Sequence, residues 1–462
     1  MRDLIVSLLL LGLLPTCFRK PFVGLLVFSL LAYMRLQDLT WGFAREVRWS
    51  FYVAIVTFAG YYASNREQRF MLPDVRNVIM ILMIALIGIS IVKAGGPTKD
   101  DIPGFTEYVK IIVMALFTTG MLTSRDRLRA LVWVIALSFA FYGLKGGVAG
   151  ILSGGSAEIL QGPGGMLRDN NDFALALSMG IPMMWHLAGS ERRTILRRVM
   201  LAAVPLTMIT IGLTHSRGGF LALATAIGCL IWRSRNRVAA LTAGVLIVLA
   251  GFLAAPQDYR DRIWSITEYK ADSSAQARIA AWRTAGRMIA ANPVFGVGFA
   301  RFEPNYGRYD PAREDVTLQQ HGVHVAHNSY LQIWAECGTP TFLLYLALIL
   351  FSFLDVWKVR ATARSRYHAS WILSYCNMFE ASMLTFLIGS TFLNRAHFDL
   401  LYHWVAIILA FGVIARRELA DPYRYPARTG GRGRLEPVRR PGFGGGAGRA
   451  GFRRRPLLGG GT

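Results

Sequence analysis

The sequence predicts an all-α, polytopic integral membrane protein with about 12–13 transmembrane helices and one long outward loop that contains short helices. Its mean hydropathy is +0.37, 53% of its residues are hydrophobic and only 17% are charged. Long apolar stretches alternate with short charged loops along most of the chain. This pattern is typical of helices that cross about 30 Å of hydrocarbon, so we expect one membrane-embedded domain over residues 1–415.

The apolar stretches give the predicted spans. In chain order they are residues 3–17, 21–36, 49–63, 77–93, 107–123, 129–150, 172–189, 197–214, 218–233, 238–255, 340–357, 369–391 and 399–415. The first two are short and could be tilted or broken, which leaves the count at about 12 or 13. The N-terminus resembles a signal peptide but lacks a small-residue cleavage site, and a second apolar span starts at Pro21. We therefore expect a retained helix.

Basic clusters predict the orientation of the chain. Arginine and lysine recur on every second loop, at residues 66–76, 125–129, 192–198, 233–237 and 358–366. By the positive-inside rule these loops face the cytoplasm, and the alternate loops face outward. The longest outward loop, about residues 256–339, is where we expect function.

The tail, residues 416–462, differs from the rest of the chain. It is rich in Gly, Pro and Arg and poor in apolar residues, which predicts a disordered, basic cytoplasmic tail. The tail is either a solvated extension or a contact for anionic lipid. The formal net charge of +23 resides mainly in this tail and in the short loops, so nucleic acid is not an expected partner.

The polar stretch His321–Thr341 stands between very apolar neighbours. It carries three histidines at three-residue intervals, His321, His324 and His327. A run with helical spacing follows and stops at Gly338, and the proline two residues later is placed to open the next helix. We expect His327 to act as a general base, because a neutral imidazole near pH 7 can accept a proton from a hydroxyl group.

Two other roles are open for these histidines. With Glu314, Asp315 and Glu336 nearby they could bind zinc, or they could be surface or capping residues without a chemical role. Metal binding is disfavoured, because helical geometry places the first and third histidines about 120° apart and no H-E-x-x-H pattern is present. The four cysteines show neither a CxxC pair nor metal-ligand spacing.

Arg217 lies in a second polar segment, His215–Gly219, which joins two apolar spans with scarcely any loop. A charge at or just inside the membrane surface is costly unless it is paired, so a functional role is the default interpretation. The alternative is an arginine that reaches out to lipid phosphate. The glycines beside Arg217 would let backbone N–H groups approach an anion closely.

A helix is predicted in the long loop from Ser273 or Ser274 to about Ala291. One of its faces carries Arg278, Trp282, Ala285 and Ile289. The helix could lie on the membrane with its basic residues toward the headgroups, an interpretation that suits Arg283 and Arg287. Alternatively, Arg278 helps Arg217 to hold a phosphate group. The segment Asn292–Gly298 is predicted to end this helix as a tight turn.

The segment Arg168–Asp172 stands at the mouth of the seventh apolar span. Its aspartates and asparagines are either helix caps, with Arg168 a surface charge, or polar side chains that line an outward cavity. Both interpretations remain open from the sequence.

Several of these segments together resemble a known family. His327-Asn328, nine residues, Gly338, two residues and Thr341 fit the H-[NSQ]-x9-G-x-x-[GTY] motif of bacterial O-antigen ligases. The SRGG turn, the A-R-x-x-x-W helix and the NPVFGVG segment are also similar to the O-antigen ligase and polymerase superfamily. The start of the chain, RDL…RKPFVGLL…WGFA, and the DNN segment resemble the branch of O-glycosylation ligases associated with the exosortase A system.

This resemblance implies a metal-independent membrane glycosyltransferase without a cofactor. The family moves a saccharide from an undecaprenyl-diphosphate carrier to a lipid or protein acceptor, at the periplasmic side of the bacterial inner membrane. By this resemblance His327 deprotonates the acceptor hydroxyl, and Arg217 and Arg278 neutralise the diphosphate. The candidate substrate-binding residues are Arg168, Asn170, Asn171, Ser216, Trp282, His324 and Asn328.

Two alternative functions remain. An O-antigen or exopolysaccharide polymerase would use the same chemistry with another lipid-linked chain as acceptor. A transporter of lipid-linked glycans belongs to a different class, in which the arginines hold a passing anionic headgroup. Transporters tend to show repeat symmetry between their halves, and the sequence shows no such repeat.

Overall fold

The computed structural model describes residues 1–64, 69–99, 101–234, 236–239, 241–242, 244, 273–310, 325–394 and 396–427. Within these ranges the chain is helical and forms no β-sheet, only two isolated bridges, Gln161 to Asp169 and Arg366 to Ala427. The predicted all-α, polytopic architecture is confirmed.

Fourteen α-helices are described, and we number them in chain order. They are α1 (Arg2–Arg19), α2 (Pro21–Tyr33), α3 (Trp49–Ala63), α4 (Val75–Lys93), α5 (Asp101–Met121), α6 (Arg125–Leu152), α7 (Asn170–Ser190), α8 (Thr194–Gly212), α9 (Arg217–Arg233), α10 (Ser273–Ala291), α11 (Phe302–Tyr309), α12 (Ser329–Arg364), α13 (Ser370–Gly389) and α14 (Asp399–Leu419). The described 3₁₀ turns are Leu36–Leu39, Phe43–Arg45, Gly165–Leu167 and Ser390–Phe392.

By length and apolar composition, eight of the described helices could cross a membrane: α4 to α8, α12, α13 and α14. This number is smaller than the predicted 12 or 13 for physical reasons. Helices α2, α3 and α9 lie where spans were expected but have only 13, 15 and 17 residues. Most of the predicted span at 238–255 lies outside the described residues.

Helices α7 and α14 form the centre of the bundle, since 83% of the apolar window of each is buried. Helix α7 packs against α6, α8, α9 and α13, and α14 packs against α5 and α12. Small residues permit the closest contacts. A Cβ atom on Gly147 of α6 would lie 2.4 Å from the Leu206 carbonyl oxygen of α8, so only glycine allows this approach.

One end of the bundle, which we call the basic end, carries the arginine clusters that were predicted to face the cytoplasm. There, Arg76 pairs with Asp74 at 2.9 Å and with Asp355 at 2.8 Å, and Arg416 pairs with the same Asp355. These residues come from the starts and ends of α4, α12 and α14. The ion pairs therefore join helices that are far apart in the chain.

A second buried carboxylate repeats this arrangement at the basic end. Glu380 of α13 pairs with Arg360 of α12 at 2.8 Å and with Arg233 at the end of α9. The Trp357 indole N–H also donates to Glu380 at 2.9 Å. Each of these carboxylates thus holds two arginines from different helices.

Ordered structure continues past the predicted domain boundary at residue 415. Helix α14 runs to Leu419, and Tyr425 is buried because the chain turns back against the loop between α12 and α13. The Tyr367 N–H donates to the Pro426 carbonyl at 2.9 Å. Residues 428–462 of the predicted disordered tail lie outside the described residues.

Candidate active site

His327 sits immediately before α12, and its neighbour Asn328 caps that helix. The Asn328 side-chain oxygen accepts hydrogen bonds from the Tyr330 and Leu331 N–H groups, both at 3.0 Å. This satisfies two N–H groups of the first turn that have no partner within the helix. Asn328, predicted to bind substrate, therefore has a structural role through its oxygen.

The backbone of His327 is left-handed, with φ of +46°. Only a few per cent of residues other than glycine adopt such a conformation, and it is found where the surroundings hold the chain in place. The side chain is half-buried. Of the other two predicted histidines, His321 and His324, both lie outside the described residues.

The start of α12 is anchored to residues 390–393, which we call the 390–393 turn. The Ser329 hydroxyl donates to the Leu393 carbonyl at 2.9 Å, and the Tyr330 hydroxyl donates to the Leu387 carbonyl at 2.9 Å. The Ser390 hydroxyl donates in turn to the Tyr330 oxygen at 2.9 Å. The residues that follow His327 are thus fixed against this turn.

The same turn contacts the segment that carries Arg217. A Cβ atom on Gly218 would lie 3.0 Å from the Leu393 side chain and 3.4 Å from that of Phe392, so the two backbones are in close contact. Arg217 is the first residue of α9 and is half-buried. Residues on either side of the 390–393 turn therefore bring the predicted base and the predicted phosphate ligand into one region.

The glycines beside Arg217 serve helix packing. The Gly219 N–H donates to the Ser216 hydroxyl at 2.9 Å, which makes Ser216 the cap of α9. A Cβ atom on Gly219 would lie 2.3 Å from Ala174 of α7. The prediction that this glycine offers its N–H to an anion is therefore wrong, because the cap already uses that group.

The Arg168–Asp172 segment lies beside the Arg217 turn. The Ser216 hydroxyl donates to the Asn171 side-chain oxygen at 2.6 Å, and the Asn170 amide donates to the Thr214 carbonyl at 2.9 Å. Asp169 caps α7 by accepting from the Asn171 N–H at 2.9 Å. Both earlier interpretations hold here, since the segment caps α7 and also faces the turn.

Arg168 is exposed at the edge of this segment, and its carbonyl accepts from the Gly162 N–H at 2.8 Å. No printed contact joins its guanidinium group to the Arg217 turn. Arg168 therefore lies near the other candidates in sequence, and the described contacts do not bring its side chain to them.

Helix α10 approaches the 390–393 turn from the other side. The Trp282 indole N–H donates to the Ala326 carbonyl at 3.0 Å, and the Trp282 ring lies 6.4 Å from that of Phe392. Arg278 is half-buried one turn earlier on the same face of α10. Arg283 and Arg287 are exposed, as the amphipathic interpretation predicted.

The long loop has a small apolar core of its own, which supports α10. Its members are Ala281, Ala285, Met288, Val297, Phe302, Tyr306, Ala326 and Ala335. Burial raises the pKa of Tyr306, so its hydroxyl group remains protonated at neutral pH. The predicted short helices of this loop are confirmed by α10 and α11.

The NPVFGVG segment fixes the far end of the first part of α12. The Val297 and Gly298 N–H groups donate to the Ala335 and Glu336 carbonyls, both at 2.9 Å, and the Thr339 N–H donates to Pro293 at 2.8 Å. The sequence predicted only a tight turn here. Its two glycines, with positive φ in the structure, were the signal that could have indicated a closer backbone approach.

Gly338 interrupts α12 as predicted, with φ of +79° and ψ of 176°. A Cβ atom at this position would lie 2.0 Å from the Val294 carbonyl oxygen, so the interruption requires glycine. The nine residues from Ser329 to Cys337 thus form a separate short helix, which we call the histidine helix.

The arrangement suits transfer chemistry that involves an anion. An imidazole, which can accept a proton, and two guanidinium groups, which can bind phosphate oxygens, lie on three segments around one turn. In the described residues no cluster of three His, Cys, Asp or Glu side chains could hold a metal ion.

Comparisons with known proteins agree with this chemistry. Residues 1–192 match a family model described as "Family of unknown function (DUF5935)", and residues 201–346 match one described as "O-Antigen ligase". No curated protein matches the chain. The second match contains Arg217, Arg278 and His327, and it supports a place for this multi-pass membrane protein in the O-antigen ligase superfamily of glycan-transferring enzymes.

Proposed function

We propose that the protein transfers a saccharide from an undecaprenyl-diphosphate carrier to an acceptor hydroxyl group at the periplasmic side of the bacterial inner membrane. The acceptor is a protein, as in O-glycosylation, or a lipid, as in O-antigen ligation. The observation that carries the proposal is the approach of three segments, with His327, Arg217 and Arg278, to the 390–393 turn.

In the proposed step, the acceptor oxygen forms a bond to the anomeric carbon while its proton passes to the His327 imidazole. The bond from the anomeric carbon to the diphosphate oxygen breaks, and its electron pair leaves with the diphosphate. Arg217 and Arg278 stabilise the negative charge that develops there, because the planar guanidinium group binds two oxygens at once. The reaction as proposed needs no metal ion and no cofactor.

The orientation belongs to the same proposal. It rests on the arginine clusters of the basic end, which lies at the opposite ends of α12 and α14 from the candidate site. Cysteines introduced at Tyr309 and at Ser365 would be labelled from outside and from inside, respectively. Labelling of the Ser365 site from outside in intact spheroplasts would contradict this orientation.

The function is tested with purified protein in lipid and a diphosphate-linked glycan donor. We expect His327→Ala to lower the single-turnover transfer rate by about 10²–10⁴-fold with little change in donor affinity, since a general base acts only as the proton leaves. His368→Ala, which removes an exposed histidine at the basic end, is the matched control. A near wild-type rate for His327→Ala, or loss of transfer in EDTA, would refute the mechanism.

A further inference from the structure

Glu336 is a buried carboxylate on the histidine helix, with 2% of its surface exposed. One oxygen accepts from the Phe302 N–H at 3.3 Å, and the other lies 3.5 Å from the Gln332 amide nitrogen. These are long hydrogen bonds for an ionisable group that has lost its water. Burial of a carboxylate is costly without a charged or hydrogen-bonding partner, so its presence here needs a reason.

His397 faces Glu336 from the segment that follows the 390–393 turn. Its Nε2 atom lies 3.9 Å from a Glu336 oxygen, and its ring packs against Phe299 at 4.6 Å and Tyr108 at 5.2 Å. Both ring nitrogens are buried without a hydrogen-bond partner in the described part of the chain. A shift of about 1 Å would bring the imidazole and the carboxylate to hydrogen-bond distance.

This pair belongs to a continuous contact along one face of the histidine helix. Ser329, Gln332 and Glu336 have the spacing i, i+3 and i+7 of one helical face. In turn, they meet Leu393 through the 2.9 Å hydrogen bond, the Ala396 N–H at 3.3 Å, and His397. Residues 393–397 therefore run beside the whole length of this short helix.

The same residues connect the base to the arginine. His327 precedes the first contact, at Ser329, by two residues, and Leu393 contacts Gly218 next to Arg217. Any sliding or tilting of the histidine helix against residues 393–397 changes the separation of His327 from Arg217. Glu336 and His397 lie at the other end of this contact, where they have the greatest leverage over tilt.

We propose that Glu336 and His397 are positioning residues for glycan transfer: as a hydrogen-bonding pair they hold the histidine helix at the angle that aims His327 at the donor bound by Arg217. This inference rests on the proposed function and adds two residues to it. Neither side chain touches the substrate in this proposal, and the pair acts through the position of His327.

The test measures kcat and donor KM for Glu336→Ala, Glu336→Gln, His397→Gln and the Glu336→Ala/His397→Gln double variant, all in the same lipid. Glu303→Ala is the matched control, because this exposed glutamate belongs to the same loop region. We expect Glu336→Ala to lower kcat by about 10–100-fold with donor KM within about 3-fold of wild type, the scale of a misplacement of about 1 Å. Glutamine keeps hydrogen-bonding capacity, so Glu336→Gln should recover most of kcat.

The double variant should lose no more than the weaker single variant, within about 3-fold, because the two residues act as one unit. Multiplied losses, a raised KM with unchanged kcat, or a glutamine variant no better than alanine would overturn the pair. The His327→Ala variant separates the two proposals. If it is inactive while Glu336→Ala equals Glu303→Ala, the positioning role fails and the proposed function stands.

Discussion

At the basic end of the bundle two buried carboxylates each hold two arginines, whereas the candidate site is built largely from hydrogen bonds between uncharged groups. Asp355 and Glu380 join α4, α9, α12, α13 and α14 through ion pairs. At the site, the corresponding contacts are Ser216 with Asn171 and Ser329 with the Leu393 carbonyl.

The difference suggests a division of labour within one bundle. Ion pairs that are withdrawn from water are strongly weakened when one partner is removed, so they suit a brace between helices. Uncharged hydrogen bonds can position a backbone without competing for the charge of a nearby arginine. Substitutions at the basic end should therefore alter stability, and substitutions at the site should alter the reaction.

The largest expected effect is on the reaction. Arg217→Ala should lower the transfer rate by about 10²–10³-fold, the range for loss of one charge-stabilising donor, and should weaken donor binding as well. Arg217→Lys keeps the charge but loses the planar fork, so it should rescue only in part. Donor binding and single-turnover transfer are measured together with thermal unfolding. A large loss of thermal stability in Arg217→Ala would break the comparison.

The next effect is on stability. Asp355→Ala should cost about 3 kcal/mol, the lower end of the range for a broken buried pair, because Asp74 still neutralises Arg76. Unfolding in the same detergent measures this, and the transfer rate per folded molecule should stay unchanged.

Glu107→Ala is the control for this variant, since it removes an exposed ion pair with Lys110 and should have little effect. Equal stability for the Asp355 and Glu107 variants would show that the basic end is not a brace.

The smallest expected effect lies at the junction of the two roles. Asn328→Ala removes the cap of α12 and should cost about 0.5–2 kcal/mol, whereas Asn328→Asp keeps an oxygen acceptor and should cost less. The transfer rate should follow the same order, because the cap sets the start of the histidine helix. If the aspartate variant is as slow as the alanine variant, Asn328 acts on the reaction by another route, such as contact with substrate.

The sequence predicted the elements of the site better than it predicted their connections. The spacing from His327 to Gly338 and the polar turn at Arg217 were visible because they interrupt apolar spans. The 390–393 turn was missed because it contributes a backbone carbonyl and apolar contacts, which leave no residue-specific pattern. His397 was missed for a related reason, since a lone histidine in a short loop has no periodic signal.

The glycines illustrate the same limit. Gly338 was correctly predicted to end a helix, because its position after a helical run is informative in one dimension. The sequence did not indicate that the Val294 carbonyl would occupy the space of its missing side chain. Gly219 was assigned to an anion, yet it serves contact with Ala174, because neighbours distant in the chain decide what a small residue is for.

The place of Leu393 in the chain has a consequence for biosynthesis. During synthesis the segments with Arg217, Arg278 and His327 all leave the ribosome before the carbonyl that anchors the histidine helix and the side chain that packs on Gly218. Because chains are made and begin to fold from the N-terminus, the site cannot close until the penultimate described helix has entered the membrane and turned back. A truncated or half-inserted chain would then carry every proposed catalytic residue and remain inactive, which protects the pool of costly lipid-linked glycan from idle hydrolysis.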